Sequence, residues 1–351
     1  MRPTVITADR MNRAVLVRQR LVTRSRAPIA KVLESVGGLQ TQYAPSGYVG
    51  LWSRMELPDR HKLTDALVDG RVIQGTLMRS TIHMVSNRDY PPMAAGVQAA
   101  RREWWRRLAG NRELPGKYEA VAELVRARLE SGPAPRAELV AALTSAGYPK
   151  EMWDGVGMWV DMVRVAPSGT WERRRADLYG LADHHVPGMS DAEETAGLVL
   201  LLKRYLAAFG PAPLADAANW AGVGNAAMQM ASERLRLRQL ADERGHLLYD
   251  LPGAPLPDGT LEVPVRFLPT WDAVLLVHAR RSGVLPEEYR PLVFHTRNPQ
   301  SVPTFLVDGR VAGTWRYQDD RVDVTAFEPL PPAVMVEVRA EADALTAFHL
   351  G

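Results

Sequence analysis

The sequence contains no cysteine among its 351 residues. This absence excludes disulfide bridges, thiolate-bound zinc and iron–sulfur clusters. The longest apolar segment, TAGLVLLLKRYLAAF, is interrupted by Lys203 and Arg204, so a membrane span is not expected. The N-terminal residues MRPTVITADRMNRAV lack the apolar run of a secretory signal, and we therefore expect a cytoplasmic protein.

Several catalytic signatures are also absent. The sequence has no Walker phosphate loop, no GxGxxG fingerprint, no HExxH motif and no nucleophile elbow. His184 and His185 are adjacent but have one nearby aspartate, whereas metal sites use three or four ligands. We therefore expect neither a metal nor a cofactor.

The sequence does contain an uneven distribution of charge. The formal net charge of the whole chain is only +3. Residues 1–110, however, hold 18 Lys+Arg against 8 Asp+Glu, a net charge of +10, and the remaining residues hold 25 against 32, a net of −7. A positive N-terminal third favours a polyanionic partner such as nucleic acid, although a basic surface kept for solubility would have the same composition.

A short internal repeat indicates how the chain is organised. GPAPRAELVAAL (132–143) and GPAPLADAANWA (210–221) share five of their first six residues at an offset of 78. Each follows an amphipathic helix pattern, and each precedes another helical segment and a β-like stretch with a turn. Helices followed by a β-hairpin are the element order of a winged helix-turn-helix, and the glycine and prolines would stop one helix and start the next.

The same order can be recognised near the N-terminus, and it predicts an α+β fold of tandem winged helix-turn-helix units followed by a β-rich domain. In the N-terminal unit, RVIQGTLMRSTIHMVS is β-rich and expected to break at Gly75. After about residue 260, Asp308-Gly309 between TFLV and RVAGTW predicts a hairpin, and AEADALTAFHL predicts a final helix. The expected domains are 1–90, 91–192, 193–258 and 259–351.

Two groups of polar residues are candidates for function. Gln40 and Gln42 stand at strand spacing in GGLQTQ, so both amides would point the same way and could bind one small object. A polar joint whose glutamines bond neighbouring backbone is the alternative. In RSTIHMV, Arg79, Thr81 and His83 would form one face of a strand and contact phosphates, although a half-exposed strand would have the same pattern.

Four blocks of the sequence carry a family resemblance. GGLQTQ with YVGLWSR, RSTIHMVS, FLPTWDAVLLVH and TFLVDGRVAGTWR, in this order, together resemble the AlkZ/YcaQ-like DNA glycosylases. These are bacterial winged-helix enzymes that release bulky N7-alkylated purines and unhook interstrand crosslinks. The resemblance implies tandem winged helices with a C-terminal β domain, and it implies that Gln40 and Gln42 are the catalytic pair. The Gln-x-Gln form resembles the branch that protects producers of DNA-alkylating antibiotics.

The chain departs from the family pattern at two places. Thr41 replaces an aliphatic residue between the glutamines, and VHARR (277–281) replaces the expected SHxDR. His278 and Arg281 remain candidates for DNA binding. We also expect Arg316 to contact phosphates and a hairpin around Asn298 or Asp308 to probe the minor groove.

The chemistry is compatible with a glutamine pair. Alkylation at N7 makes the purine cationic, so the base leaves as a neutral species with little need for protonation. Two amide oxygens can orient water and face developing positive charge, whereas glutamine cannot serve as an ordinary general base. The expected protein is a monomeric, monofunctional DNA glycosylase acting on double-stranded DNA that carries alkylated purines. A non-catalytic winged-helix DNA-binding or regulatory protein is the alternative.

Overall fold

The computed structural model describes residues 4–56, 59–109, 117–276, 283–294 and 301–351. Its mixture of helices and sheets confirms the predicted α+β class. The first part of the chain contains four helices followed by the hairpin of β3 and β4. In order, its elements are β1 (Thr4–Val5), α1 (Ala8–Arg18), α2 (Ile29–Val36), β2 (Leu39–Gln40), α3 (Ala44–Trp52), α4 (Arg60–Val68), β3 (Val72–Thr76) and β4 (Ile82–Ser86).

The next two parts of the chain repeat the order of helices followed by a hairpin. The second comprises α5 (Tyr90–Ala109), α6 (Lys117–Glu130), β5 (Ala134–Pro135), α7 (Arg136–Ser145), α8 (Trp153–Val156), β6 (Met162–Arg164), β7 (Leu178–Leu181) and α9 (Ala182–His185). The third comprises α10 (Glu194–Phe209), α11 (Leu214–Ala221), α12 (Asn225–Ser232), β8 (Arg238–Ala241) and β9 (Leu247–Asp250).

One helix in each of the three units starts directly after a proline. Pro28, Pro135 and Pro213 are the N-cap residues of α2, α7 and α11, with ψ values of 147°, 147° and 150°. The first backbone N–H groups of a helix have no partner within the helix, so a residue without an N–H loses nothing there. The alanine–proline and GPAP segments therefore mark the same structural position three times.

The alanines of the two GPAP segments also occupy equivalent positions. Ala134 pairs with Tyr179 in an antiparallel ladder, and Ala212 forms an antiparallel bridge to Tyr249. Each alanine thus joins the start of a helix to the hairpin that follows it in the chain. The sequence repeat at an offset of 78 residues is a repeat of backbone hydrogen bonding as well as of composition.

The hairpins of the first two units form one continuous sheet. Its strand order is β2-β4-β3-β6-β7-β5, and β3 joins β6 through the pairs Gln74–Arg164 and Gly75–Val163. The third hairpin lies in a separate sheet of order β1-β8-β9, in which β1 runs parallel to β8. Backbone pairing therefore crosses the chain positions at which the predicted domains begin and end.

The C-terminal part is an antiparallel sheet with a long helix packed against it. Its strands follow one another in the order β10-β11-β12-β13. The predicted hairpin is confirmed, since Asp308 and Gly309 have φ values of 44° and 75° between paired strands, as a type I′ turn requires. The elements are β10 (Arg266–Leu268), α13 (Ala273–Leu276), α14 (Arg290–Val293), β11 (Thr304–Val307), β12 (Arg310–Gln318), β13 (Arg321–Ala326) and α15 (Pro332–Leu350).

The predicted break at Gly75 is wrong. Strand β3 continues through Gly75, and the chain turns instead at Arg79 and Ser80, which have φ values of 51° and 58°. Gly75 serves packing, because a Cβ there would lie 2.4 Å from the hydroxyl oxygen of Tyr90. The glycine allows the buried tyrosine ring to lie directly against the strand.

A buried ion pair connects two of the blocks that carry the family resemblance. Arg54 follows helix α3, and both of its terminal nitrogens donate to the carboxylate of Asp272 at 2.9 Å. Neither side chain is exposed to solvent. The amide oxygen of Gln19 accepts a further bond from Arg54 at 3.0 Å. These block residues therefore fasten the N-terminal helices to the C-terminal part of the chain.

Among the described helices, none is both long enough and apolar enough to cross a lipid bilayer.

Candidate active site

A glycine pair delivers the glutamine motif to the sheet. Gly37 and Gly38 have φ values of 79° and 80°, and both of their N–H groups donate to the carbonyl of Leu33 at the end of α2. Only glycine adopts two successive left-handed conformations at low cost. A Cβ at Gly38 would also lie 2.7 Å from Val85 Cγ1. The reversal places the next residues against strand β4, where they form the edge strand β2.

Gln40 lies at the end of β2, paired with His83 of β4. Its side chain is largely buried, with 9% of the residue exposed. The amide oxygen Oε1 accepts a hydrogen bond from Arg79 Nη2 at 3.2 Å. Because Gln40 is at the sheet edge and Arg79 is in the turn before β4, the contact depends on the β2–β4 pairing.

Arg79 also connects this edge to the third unit. Its other terminal nitrogen, Nη1, donates to the carbonyl oxygen of Trp220 at 2.6 Å. That carbonyl is in the last turn of α11, where helix carbonyls lack partners within the helix. Gly222 allows the Arg79 turn to approach the end of α11, because a Cβ at this position would lie only 2.9 Å from the backbone nitrogen of Arg79.

Gln42 is exposed, in contrast to Gln40. Its Oε1 accepts the backbone N–H of Ile82 at 3.1 Å, while Thr41 N donates to the carbonyl of Ile82 at 2.8 Å. The glutamine amide thus replaces a backbone carbonyl at the first residue of β4. Thr41 itself is buried beneath α3, where a Cβ at Gly47 would lie 3.2 Å from Thr41 Oγ1.

These partners determine which way each amide is turned. A guanidinium and a backbone N–H can only donate hydrogen bonds. The atom of Gln40 that faces Arg79, and the atom of Gln42 that faces Ile82, must therefore be oxygen. Each amide oxygen retains a second lone pair, and each NH₂ group is directed away from the donor that holds its oxygen. Both glutamines are held through their oxygens.

Burial shifts the charge states beside the glutamines. Desolvation lowers the pKa of Arg79 to about 10, so the guanidinium remains charged at neutral pH. Burial, and then the charge of Arg79, lowers the pKa of His83 to about 3, so its imidazole is neutral. A neutral imidazole next to the carbonyl of Thr81 must carry its proton on Nδ1, which lies 3.0 Å from that oxygen. The motif itself contributes no carboxylate.

The predicted phosphate-binding face of Arg79, Thr81 and His83 is not the exposed stripe that strand periodicity suggested. Arg79 is in a left-handed turn rather than a strand, and its guanidinium bonds protein atoms. Thr81 Oγ1 donates to the carbonyl of Met78 at 3.0 Å. His83 is only 3% exposed, a burial that does not suit a phosphate contact. Strands β2 and β3 pair with the two edges of β4.

The remaining predicted DNA contacts lie in three different situations. Arg316 is exposed on β12, with Nε 3.7 Å from a carboxylate oxygen of Asp323, and so remains available to solvent. His278, Arg281 and Asn298 fall outside the described residues. The other predicted hairpin tip, Asp308, is bound by the protein itself, because Arg13 of α1 donates hydrogen bonds to both its carbonyl and its carboxylate.

An aromatic cleft opens directly after the glutamine motif. It has a volume of about 260 Å³ and lies where the N-terminal helices, the second hairpin and the C-terminal part meet. Its lining includes Tyr43, the residue that follows Gln42, together with residues of β12 and α15. The aromatic and cationic side chains that line this aromatic cleft are Tyr43, Arg174, Trp315, Arg316, Tyr317 and His349, and its other lining residues are Pro45, Ser46, Val49, Pro269, Thr270 and Pro303.

Arg174 was not among the sequence-predicted site residues, although the run WERRRAD was a visible signal. Trp171, 7% exposed, anchors this loop by packing against Tyr48 and Phe348. Arg174 Nη1 then donates to the Tyr43 hydroxyl at 3.2 Å. The loop between β6 and β7 therefore brings a cation of the second unit to the residue next to Gln42.

The two adjacent histidines are not part of this site. His184 Nε2 lies 3.1 Å from a carboxylate oxygen of Glu130. Within the ranges that the structure describes, no group of three or more histidine, aspartate or glutamate side chains is placed to hold a metal ion.

Comparisons with known proteins identify a family over most of the chain. A family model described as DNA glycosylase AlkZ-like matches residues 33–348. A curated relative, the interstrand DNA cross-link repair glycosylase of Streptomyces sahachiroi, is 23% identical over 355 residues, which cover 93% of this chain and 92% of the relative.

A solved structure agrees with the architecture. The structure of Streptomyces sahachiroi DNA glycosylase AlkZ matches with a TM-score of 0.79 and 21% sequence identity, covering 98% of this chain and 96% of that one. This likeness confirms the predicted fold of winged-helix units followed by a β-rich domain.

Proposed function

The chain belongs to the AlkZ-like DNA glycosylase family and is a DNA glycosylase, and from this premise we propose that it hydrolyses the N-glycosidic bond of cationic N7-alkylguanine in duplex DNA. Bulky monoadducts are the proposed substrates, together with interstrand crosslinks such as those for which the curated relative is named. The proposed role is DNA repair, or self-resistance to a genotoxic natural product. The enzyme would act as a monomer, and its own residues would need no metal or cofactor.

The single observation that supports this proposal is the pair of uncharged amides at the β2–β4 edge. Gln40 and Gln42 are held at their oxygens by Arg79 and by the N–H of Ile82. Neither glutamine can take a proton from water at neutral pH. The pair therefore suits a reaction in which water must be positioned but the leaving group is already activated.

An N7-alkylated guanine meets that condition. The alkylated ring carries a positive charge, and cleavage of the bond to C1′ returns the electron pair to the ring and leaves a neutral base. Positive charge then develops on the sugar, and water adds to C1′ and loses one proton to the solvent. The base needs no general acid, so the catalytic requirement is orientation and electrostatic stabilisation.

The second lone pairs of the two amide oxygens are the atoms proposed for this task. One lone pair of each oxygen is used by its fixed donor, and the other can accept a hydrogen bond from the attacking water. A preoriented carbonyl dipole also places its negative end near developing positive charge without reorganisation during the reaction. The donors that hold Gln40 and Gln42 would thus preserve the orientation of their oxygens.

The charge of Arg79 opposes a cationic substrate unless it is offset. Two contacts reduce its effect: the amide oxygen of Gln40 and the carbonyl of Trp220, which belongs to the C-terminal end of α11. The C-terminus of a helix carries a partial negative charge, which stabilises a cation there. We expect Arg79 to orient Gln40 while the end of α11 balances its charge.

The proposal is tested by release of free base from a duplex with one N7-methylguanine. Wild type should release the base, and Gln40→Ala and Gln42→Ala should each lower the single-turnover rate by about 100-fold, the scale reported for misplaced catalytic groups. A duplex with a neutral lesion or unmodified guanine should release little base with any of these proteins.

Gln239→Ala is a matched control, because Gln239 is an exposed glutamine of β8 in the third unit. It should release base at the wild-type rate. Tight binding of the modified duplex by wild type with no base release would contradict the proposed reaction. Equal rates for the wild type and both motif variants would contradict the assignment of the glutamines.

A further inference from the structure

Helix α12 of the third unit has an exposed face that carries two amides and an apolar side chain. Four exposed residues of the helix recur at helical spacing and therefore share one side of it. They are Asn225, Ala226, Gln229 and Met230. The other side carries the buried residues Met228, Ala231 and Ser232. Because Met230 is 60% exposed, a partner that covers this face would remove apolar surface from water.

The amides on this face are free to bind another molecule. Within the described residues, neither the Asn225 nor the Gln229 side chain forms a hydrogen bond with the protein. In the major groove of DNA, adenine presents an acceptor and a donor side by side, and the amide of asparagine or glutamine matches both. The methyl group of the paired thymine is contacted by apolar side chains. The face of α12 therefore has the groups that recognise an A·T base pair.

The helices at the equivalent position of the other two units have no such face. In the first unit α3 follows α2, and all nine of its residues are buried. In the second unit α8 follows α7 and has four residues, three of which are buried. A recognition helix enters the major groove with exposed side chains near its N-terminus. Among the described helices at this position, α12 alone meets that requirement.

Unpaired cations follow the helix in the chain. Arg234 and Arg236 are exposed, and neither forms an ion pair in the part of the chain that the structure describes. The next arginine, Arg238, is by contrast paired with the buried carboxylate of Asp250. Free guanidinium groups beside a groove-binding helix suit phosphate oxygens. The acidic Glu233 lies at the C-terminal end of α12, away from the residues that would meet the bases.

The connection to the glutamine motif gives the distance at which α12 would contact the duplex. Gly222 packs on the backbone of Arg79, whose guanidinium holds Gln40. Asn225 follows Gly222 by three residues, which span at most about 11 Å, and Gln229 lies one turn further, about 6 Å along the helix. The sum of about 17 Å corresponds to about five base pairs at about 3.4 Å each.

We propose that α12 enters the major groove beside the lesion and recognises an A·T base pair within about five base pairs of the target guanine. Asn225 and Gln229 would contact the adenine, and Met230 the thymine methyl group. Arg234 and Arg236 would bind the adjacent phosphates. This inference rests on the proposed function for the position of the target nucleotide at the glutamine pair. It goes beyond that function because it gives the enzyme a preferred DNA sequence, which neither the lesion nor the glutamine pair supplies.

A binding selection tests the sequence preference without relying on catalysis. The probe is a library of duplexes with one central N7-methylguanine and randomised base pairs on both sides. A 2′-fluoro sugar at the central nucleotide slows base release during the measurement. Bound and free duplexes are separated and sequenced. Wild type should enrich an A·T pair about tenfold at a position within about five base pairs of the lesion, on the scale of one bidentate base contact.

Variants of α12 separate base recognition from phosphate binding. Gln229→Ala, or Asn225→Ala as a second test, should remove the enrichment, and alanine at an exposed helix position preserves the fold. Arg236→Ala should instead weaken binding of all sequences alike and lower the salt-dependence slope by about one. The matched controls are Gln239→Ala on β8 and Arg339→Ala on α15, both exposed residues outside α12. Neither control should change the preference or the slope.

Each outcome separates this inference from the proposed reaction. A wild type without sequence preference, or a preference unchanged in both amide variants, would overturn the inference. A preferred base pair farther than about five base pairs from the lesion would overturn the placement of α12. A preference that depends on Gln229, without base release from an N7-methylguanine duplex, would contradict the proposed glycosylase reaction and support the recognition helix. Base release without any sequence preference would support the reaction and refute the recognition helix.

Discussion

Arg79→Met tests whether the guanidinium acts on the reaction through Gln40. Methionine retains much of the apolar stem of arginine but donates no hydrogen bond. The substitution removes the donor 3.2 Å from Gln40 Oε1 and the donor 2.6 Å from the carbonyl of Trp220. Without the first contact, nothing in the motif requires the Gln40 amide to keep its oxygen in place.

The expected effect follows from the contact that is lost. A hydrogen bond to a charged group contributes about 1.5 to 3 kcal/mol, and each 1.4 kcal/mol is about tenfold in rate or affinity. A catalytic group displaced by about 1 Å costs about 100-fold. We therefore expect Arg79→Met to lower the single-turnover rate of base release by about 30- to 100-fold, with little change in the Kd for the modified duplex.

A double-mutant cycle with Gln40→Ala gives the decisive measurement. If Arg79 acts through Gln40, the two substitutions should be strongly non-additive. In the Gln40→Ala background, Arg79→Met should change the rate by no more than about twofold. Arg79→Lys should recover part of the rate, because one ammonium can reach one of the two acceptors but lacks the guanidinium fork.

Arg10→Met is the matched control, because Arg10, like Arg79, donates two hydrogen bonds to distant parts of the chain, in this case to the backbone carbonyls of Leu256 and Pro257. It should leave base release unchanged. Additive effects of Arg79→Met and Gln40→Ala would refute the reasoning, since Arg79 would then act independently of the amide. A large rise in Kd would instead identify Arg79 as a DNA contact.

Three further predictions concern stability. Asp272→Asn should lower the free energy of unfolding by about 3 to 5 kcal/mol in a denaturant titration, because it leaves the fully buried guanidinium of Arg54 without its counter-charge. A loss below about 1 kcal/mol would show that the ion pair contributes little to stability. Gly222→Ala should lower both the free energy of unfolding and the rate of base release, because the added Cβ would clash with the backbone of Arg79. Gly245 has a similar positive φ but no atom near the position of an added Cβ, so Gly245→Ala is the control and should lower the free energy of unfolding by only about 1 kcal/mol. Burial lowers the pKa of His83 to about 3, so below about pH 6.5 the unfolded chain binds a proton that the folded chain does not. The free energy of unfolding of wild type should therefore fall by about 1 kcal/mol per pH unit as pH falls from about 6.5 towards 3. His83→Leu should reduce this slope, and the same pH dependence of urea unfolding in wild type and variant would contradict the prediction.

Elements with a local physical cause could be predicted from the sequence. A proline suits the first turn of a helix wherever it occurs, so the two GPAP segments indicated helix starts without knowledge of their neighbours. Asp308-Gly309 similarly indicated a hairpin, because the φ values that its turn requires depend on the two residues themselves. The long α15 was only partly predicted, since PAVMVEV is rich in β-branched valine and gives a weak helix signal.

Helix α3 shows why other elements could not be predicted. Gly47 and Gly50 lower helix propensity, and the nine residues of α3 are buried on all sides. The glycines are needed because Met84 Cε and Leu39 Cδ1 would lie 2.7 and 3.1 Å from an added Cβ. A helix selected by close packing from other elements leaves little periodic pattern in its own sequence.

The candidate site likewise has features that the sequence predicts and features that depend on tertiary packing. The amino-acid sequence alone determined that Gln40 and Gln42 are uncharged, that they follow a glycine pair, and that they belong to a recognisable family pattern. Only the tertiary structure decided that their oxygens are held by Arg79 and by the N–H of Ile82, and that His83 of the predicted stripe is buried. It also brought Arg174 and Tyr317 to Tyr43. The physical reason is range: residue chemistry and turn geometry are local properties, whereas burial and hydrogen-bond partners depend on chain segments that meet only when the protein folds.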